Sequence, residues 1–527
     1  MKYLLGGENE KVYLNSKMLN RHGIIAGATG TGKTVALKVI SEMLNNDGIN
    51  TFITDVKGDI MSLAENGERN DKIDERLNKL GIDDYQVDSF PVEIFDIYKR
   101  GVPLRASVTD IGPVLLSKML GLNDVQSGVI DVMYKIADEN ELKLIDFKDL
   151  KIMLKYMADF SSDISNKYGN VAKQSINAIQ RTLIRFENEG AIDFFGEPSF
   201  DVDDLLVKNG EKGIANILNC TELYLNSKMY QSVVIYLLSQ IFTSLDEVGD
   251  LDKPKLVLFL DEAHLIFKDL NKKMLENIVT IIKLIRSKGV GIFFVTQNPK
   301  DIPEEVLSQL SNRIEHALRA YTPNEIKNVK YAADSFRKNP NFDSEEAILN
   351  LKTGEALVST LNEDGEPSIA EITLIRPPMS KIGMIDEAVF NDIINSSDFN
   401  SKYKEPIDRE SAYEILSERY IQINKEMEAE KAEKDAQKEY RTKQNQKKRN
   451  ESTADKILKR VFSAFTYQIG RTVARDIMNT IKKKKIIYKS MARVFALAFY
   501  LQKKTRASAL VLVNLYSFNK YLYSLTV

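Results

Sequence analysis

Two periods alternate along the chain. Short apolar runs closed by glycine or polar residues read as buried strands, and apolar residues at three- and four-residue intervals read as helices. The first run, His22-Gly-Ile-Ile-Ala-Gly27, predicts a buried strand. Helical spacing follows from Lys33 to about Leu44 (Val35, Ala36, Val39, Ile40, Met43, Leu44), and Asn50–Val56 predicts a second strand. Strand, helix, strand at this distance is a βαβ unit, hence a parallel sheet with a right-handed crossover.

The alternation then stops. Residues 57–212 predict a mostly helical insertion, with helical spacing at Val114–Leu120, Val125–Ile136, Asp146–Met157 and Val171–Phe186. Strands resume at Gly213–Cys220. A helix over Ser227–Leu245, a strand at Lys255–Leu260, a helix over Lys272–Ser287 and a strand at Val290–Thr296 continue the series. A short helix near Pro303–Leu310 and a strand at Arg313–Ala320 extend it. Glu355–Leu361 and Ser368–Ile375 flank Asn362-Glu-Asp-Gly365, the pattern of a β-hairpin with Gly365 in the turn. The whole predicts a doubly wound α/β core built from residues 1–56 and 213–390. Residues 391–460 read as a charged helical or disordered linker, because Lys425–Asn450 has almost no large apolar residue. Residues 461–527 form a basic tail.

Composition narrows the class. The 527 residues suggest about three domains, or one large α/β domain with an insertion and a tail. With 43% hydrophobic and 28% charged residues, the chain can build a core and is neither fibrous nor wholly disordered. One cysteine, Cys220, excludes a disulfide framework within the chain. Only three histidines, His22, His264 and His316, make a Cys/His zinc cluster untenable. A single thiol and no secretory signal point to a reducing, cytoplasmic setting. No uncharged apolar stretch reaches the ~18 residues needed to span a bilayer.

Gly27-Ala28-Thr29-Gly30-Thr31-Gly32-Lys33-Thr34 fits G-x-x-x-x-G-K-[ST], the Walker A pattern. The glycines let the backbone turn so that successive N–H groups face phosphate oxygens, and the following helix adds its positive N-terminus. Lys33 would reach the β- and γ-phosphates of ATP, and Thr34 would ligate Mg²⁺. The apolar strand Leu256–Leu260 ends in Asp261-Glu262, a Walker B arrangement at a strand's carboxyl end, where sheet ligands bind. Asp261 would hold the Mg²⁺ shell, and Glu262 would orient or deprotonate the attacking water. A glutamate beside the metal aspartate favours nucleotide hydrolysis over transfer of phosphate to a small molecule. The alternative for this pair is an acidic helix start.

Gln297 ends the strand Gly291–Thr296 and is either a sensor of the γ-phosphate or a strand-end cap. Arg286 and Arg313 lie just before and just after this strand. Either could act on a neighbouring subunit's nucleotide, and either could be a surface cation. Asp55, in Asp55-Val-Lys-Gly-Asp59, is a candidate for organising water or metal, or a turn acid.

Taken together, His22–Thr34, Asp55–Asp59, Phe259–His264 and Val295–Pro299 resemble the HerA/FtsK superfamily of ring-forming P-loop motors. The run to about Pro378 is similar to the bacterial YjgR-type HerA-like ATPases. Arg105–Pro113, Leu122–Gly128 and Phe194–Pro198 carry that likeness, with a weaker match at Gly470–Ile477. The resemblance covers roughly residues 1–390 and fades after Lys482–Lys485. It implies a RecA-like core, hexamers and nucleotide between subunits. It supports the roles given to Lys33, Thr34, Asp261 and Glu262, and it favours Arg286 over Arg313 as the trans arginine. The archaeal HerA proteins of the family carry an N-terminal β-barrel that helps assemble the ring and dock a nuclease. Only 26 residues precede Gly27, too few for such a barrel, so the helical insertion is expected to supply subunit contacts.

Two functions compete. One is an ATP-driven DNA translocase or helicase, with Lys148, Lys151, Lys155, Lys173, Arg181 and Arg185 as candidate pore cations or merely a solvated helix face. The other is an ATPase switch on a protein complex in defence or assembly. Charge bears on this choice. The chain totals −2, but residues 477–527 carry ten cations and no acid. The remainder therefore holds 63 basic against 75 acidic residues. Any DNA contact in the motor must come from a local lining of cations.

Overall fold

The structure is a computed structural model that describes residues 1–7, 10–188 and 190–441. The chain divides into a unit Met1–Glu418 and a unit from Arg419 onward. β1 (Lys2–Gly6) and β2 (Val12–Asn15) form a two-stranded antiparallel sheet. The main sheet is built from β3 (Gly23–Ala26), β4 (Asn50–Asp55), β5 (Val92–Asp96), β6 (Val102–Pro103) and β7 (Ala215–Asn219). It continues with β8 (Leu256–Leu260), β9 (Val290–Thr296), β10 (Asn312–His316), β11 (Glu355–Ser359) and β12 (Glu371–Leu374).

The order across this sheet is β12-β11-β10-β3-β9-β8-β4-β7-β5-β6. Every pairing from β10 to β6 is parallel, while β11 and β12 close one side as an antiparallel hairpin. The expected α/β class with a mostly parallel sheet is what the structure has. Parallel strands covered by helices on both faces must be apolar throughout. β8 and β9 are buried at every position, as their unbroken sequences require. The helix Lys33–Asn46 lays Ala36, Leu37, Ile40, Met43 and Leu44 into the core that holds Ile25, Ile53, Val257, Phe259, Phe293 and Val295.

The segment 57–212, expected to be mostly helical, also holds two strands of the main sheet, β5 and β6, with β5 paired to β7. Val92-Glu-Ile-Phe-Asp is short and carries acids at its second and last positions, so no apolar run announces it. The hydroxyl of Ser397 donates to the Glu93 carboxylate at 2.7 Å, which lets a partly buried acid sit in the strand. The N-terminal pair β1–β2 was also not anticipated.

The helices of the predicted insertion are present at Asp71–Leu80, Val108–Met119, Asp124–Glu139, Phe147–Asp159, Ser161–Tyr168 and Lys173–Asn188. Asn123–Gln126 and Asp146–Asp149 start two of them as reciprocal capping boxes. Gly112, with φ 73°, and Pro113 break the helix Val108–Met119 near its middle. A helix over Ala412–Arg441 covers part of the predicted charged linker. The tail 461–527 lies outside the described residues.

Candidate active site

Parallel pairing sends the carboxyl ends of β10, β3, β9, β8 and β4 to one edge of the sheet. β9 lies between β3 and β8, so the glycine loop and the acid pair are two strand spacings apart, about 10 Å. That gap suits a phosphate chain and its metal. Gly27 follows β3, Gln297 follows β9, and Asp261-Glu262 follows β8.

The loop Gly27–Gly32 has positive φ at Gly27, Gly30 and Gly32 (143°, 76° and 124°), conformations that side chains other than glycine rarely adopt. A Cβ at Gly27 would also stand 2.6 Å from the Cβ of His316. Helix Lys33–Asn46 has no side-chain cap at its start, which leaves its first N–H groups for a ligand. Thr31 ties the loop together by donating to the Ala28 carbonyl at 2.7 Å. Ala28 and Thr29 lie in the same turn, and Thr34 is half-buried in the first helical turn. The Lys33 ammonium donates to the carbonyls of Gly27 (2.6 Å) and Ala28 (3.0 Å), folded back on its own loop. Burial lowers its pKa and Lys57 adds to that, while Glu262, Asp261 and Glu315 oppose the shift.

The acid pair is split by environment. Asp261 is raised to about 7, first by burial and then by the charge of Glu262. Its backbone is fixed on both sides. Its N–H donates to Thr54 Oγ1 at 2.8 Å, and its carbonyl accepts from the buried Tyr230 hydroxyl. Glu262 sits at φ 45°, a left-handed conformation that costs a non-glycine residue about 1–3 kcal/mol. Burial raises its pKa. Hydrogen bonds from His264 and Gln297 and the charge of Lys57 outweigh that and hold it at about 2. Gln297 Nε2 stands 3.1 Å from Glu262 Oε1, His264 Nδ1 3.3 Å from Oε2, and Lys57 Nζ 3.7 Å from Oε1. Glu262 is thus ionised and clamped by three side chains from three segments.

Sequence reasoning missed Lys57, His264 and Glu315. Lys57 stood in a motif already singled out, but only the β4–β8 pairing brings it to Glu262. Glu315 on β10 is in register with Ala26 on β3, beside the glycine loop. It is buried, its Oε1 has no hydrogen-bond partner, and burial raises its carboxyl to about 8 against the pull of Lys33 and Arg313. His316, pushed down to about 4 by burial, is the neutral bed under Gly27.

Asp55 belongs to the turn. Its two oxygens accept from the N–H groups of Lys57, Gly58, Ile60 and Met61 at 2.6 to 3.2 Å, so the geometry favours the turn acid of the two readings. Arg286 and Arg313 lie at the amino ends of β9 and β10, the sheet edge opposite the glycine loop. Arg286 pairs with Asp250 at 3.2 Å, and Arg313 donates to the Leu307 carbonyl at 3.1 Å. Both side chains are engaged at that opposite edge. The predicted pore cations Lys148 and Lys151 are ion-paired, to Asp146 and Asp408 and to Glu187.

Among the described residues, no group of three or more His, Cys, Asp or Glu side chains is placed to hold a metal ion. A Mg²⁺ that arrives with a nucleotide needs only one or two protein ligands besides phosphates and water. Thr34 and Asp261, across the gap between β3 and β8, fit that donor set. Among the described residues, no helix is long and apolar enough to cross a membrane.

A family model described as Helicase HerA-like C-terminal matches residues 3–492. The DNA double-strand break repair helicase HerA of Sulfolobus acidocaldarius is 24% identical over an alignment of 376 positions that covers 67% of this chain and 65% of that protein. The probable helicase MJECL08 of Methanocaldococcus jannaschii is 25% identical over an alignment of 371 positions that covers 68% of this chain and 67% of that protein. The chain thus spans slightly less than two thirds of the length of the HerA relative. Among solved structures, the plasmid coupling protein TrwB in complex with a non-hydrolysable ATP analogue is 14% identical. That match covers 72% of this chain and 92% of the other, with a TM-score of 0.48. With its glycine loop, its acid pair and a family model that covers most of its length, the chain belongs to the HerA-like helicase C-terminal family.

Proposed function

We propose that this protein hydrolyses ATP as a ring-forming motor of the HerA type and acts on DNA as a translocase or helicase. The observation that carries the reading is the meeting of Lys33 and the clamped Glu262 on one sheet edge, with Gln297 between them. The free N–H groups of the loop and of helix Lys33–Asn46 cradle the phosphates. Lys33 exchanges the carbonyls of Gly27 and Ala28 for phosphate oxygens. Thr34 and Asp261 hold Mg²⁺, which neutralises charge on the phosphates when bound. Burial raises the Asp261 carboxyl to about 7, and a cation held beside it would favour its ionised form.

Glu262 takes the water's proton or orients the water for in-line attack. At a pKa of about 2 it is a weak base, so the base role would need Lys57, His264 or Gln297 to loosen their hold, whereas orienting the water would not. Arg286 stabilises the transition state on a neighbouring subunit, the one place its position allows it to act. HerA and MJECL08, named as helicases, support DNA as the substrate. The test is steady-state ATP hydrolysis with and without single- and double-stranded DNA of several lengths. Stimulation by DNA is expected. Rates that DNA leaves unchanged would favour the ATPase switch on a protein complex, to be sought as a stable protein partner in pull-downs.

A further inference from the structure

On the carboxyl edge of the sheet, past the acid pair, two clefts meet among the segments that follow β8, β7 and β5. One, of about 530 Å³, lies between the helices Val108–Met119, Asp124–Glu139 and Ser227–Ser244 and the segment Leu265–Met274. The other, of about 850 Å³, runs between helix Lys173–Asn188 and the segment Glu222–Lys228. Both are lined by Ser227 and Lys228, so they join at that lysine. We propose that this joined track binds the phosphodiester backbone of a nucleic acid. The proposal rests on the DNA-motor reading and names where the strand is gripped.

Three features make the first cleft a built anion site. The N-terminal turns of three helices, of 16, 18 and 14 residues, open into it at Asp124, Ser227 and Lys273. Each is capped by an asparagine (Asn123, Asn226 and Asn271) that takes one N–H, at Gln126, Met229 and Met274, and each still presents the positive end of its dipole. Four lysines line it, Lys118, Lys228, Lys268 and Lys273. Lys118 donates to the Asp269 carbonyl at 3.4 Å; burial lowers its pKa, the Asp269 charge opposes that and the Lys228 charge adds to it. Ser117 lines the same cleft, is only 6% exposed, and its hydroxyl has no partner. A buried hydroxyl without an acceptor is costly unless a ligand provides one. Asp124, Asp131 and Asp269 share the wall, but the lysines and helix ends outweigh them.

The second cleft extends the track rather than closing it. It adds Arg185, Thr182 and Asn188, and among the described residues that line it the one carboxylate, Glu222, is paired with Arg100. Leu225, 74% exposed, gives a flat apolar surface beside these donors. Cations in series along a groove with apolar surface between them suit a strand of repeating phosphates and sugars better than a single small anion.

The first cleft is also wired to the catalytic glutamate. Gln231 lines it and donates to the carbonyls of Leu265, Ile266 and Lys268 at 3.3, 2.6 and 2.8 Å. The Leu265 N–H in turn donates to the Glu262 carbonyl at 2.9 Å. A strand seated on Lys268 therefore pulls on the segment that carries the clamped Glu262.

The experiment uses the full chain and a fluorescently labelled oligonucleotide, single-stranded or duplex, followed by anisotropy at several salt concentrations. Lys228→Glu combined with Lys273→Glu changes two exposed lysines of the track. Lys272→Glu is the control, since it lies on the same helix, its side chain is 91% exposed, and it is outside the cleft. The double variant is expected to bind DNA at least about tenfold more weakly, with the salt slope for duplex reduced by about one per lysine removed. Its ATPase rate without DNA should match wild type, and Lys272→Glu should change affinity less than about twofold. Inorganic tripolyphosphate should displace the oligonucleotide only weakly.

A double variant that loses no more affinity than Lys272→Glu overturns the track while leaving DNA binding by the motor in place. Displacement by tripolyphosphate at matched phosphate concentration makes the ligand a free polyphosphate and also overturns it. A changed assembly mass with unchanged DNA affinity makes the face a contact between copies of this chain. If wild type binds no DNA of either form, the track and the motor reading fall together.

Discussion

At the scale of single residues, the site is a set of carboxyls forced apart in acidity by their surroundings. Glu262 is stabilised as an anion by His264, Gln297 and Lys57, whereas burial holds Asp261 and Glu315 toward the protonated form. Glu315 gives a pH-dependent consequence. Below its ordinary value of 4.5 it is protonated in folded and unfolded chains alike, and stability is unaffected. Between 4.5 and about 8 the unfolded chain ionises while the folded one keeps its proton, so stability falls as pH rises. Above about 8 the loss is complete. Glu315→Gln should therefore melt at a higher temperature than wild type at pH 8, by roughly 2–5 °C, and at the same temperature near pH 4. Thermal denaturation at the two pH values checks this, and a variant less stable at pH 8 would show that the ionised form is the one the fold prefers.

Lys33 and Glu262 were legible in the sequence because their motifs are continuous. Lys57 and Glu315 were not, because each reaches the site through pairing with a strand distant in sequence.

At the scale of elements, the strands that hold the site were readable wherever burial on both faces made them apolar from end to end. β9 was predicted at its observed bounds, Val290–Thr296, and the β11–β12 hairpin follows its turn residues, with Gly365 at φ 81°. β5 escaped because its strand carries a charged residue compensated by Ser397, some three hundred positions later.

The loop after β4 shows the same dependence on context. Asp55 alone satisfies four backbone N–H groups there and so sets the position of Lys57. Asp55→Ala should orphan these donors at a cost of about 3 kcal/mol or more. The expected result is a lower melting temperature and a lower kcat, with ATP affinity changed less than about threefold. Calorimetric binding and melting curves measure both. Retained stability together with a raised Mg²⁺ requirement would instead make Asp55 a metal organiser.

At the scale of the whole molecule, the sheet separates two functions by its two edges. The phosphate loop, the acid pair and Gln297 lie on one edge, and Arg286 and Arg313 lie on the other. An arginine that serves catalysis from there must serve a neighbour. Arg286→Ala should lose most activity alone, as should Lys33→Ala. Mixed subunits should regain a measurable fraction, because Lys33→Ala subunits still present Arg286 to intact nucleotide sites. No recovery in mixtures of confirmed mixed composition would remove Arg286 from the reaction. Charge adds a constraint at this scale, since residues 1–476 are net acidic, and DNA must be met by local cations such as those around Lys228.

The central claim, that Glu262 drives ATP hydrolysis coupled to DNA, is tested most directly by one titration. ATP turnover by wild type and by Glu262→Gln is followed as DNA is added, with ATP binding measured in parallel. The account predicts that wild type accelerates with DNA. Glu262→Gln should bind ATP as tightly but turn it over about 10²- to 10⁴-fold more slowly at every DNA concentration. A Glu262→Gln variant that hydrolyses ATP at the wild-type rate, or a wild-type rate indifferent to DNA, would contradict it.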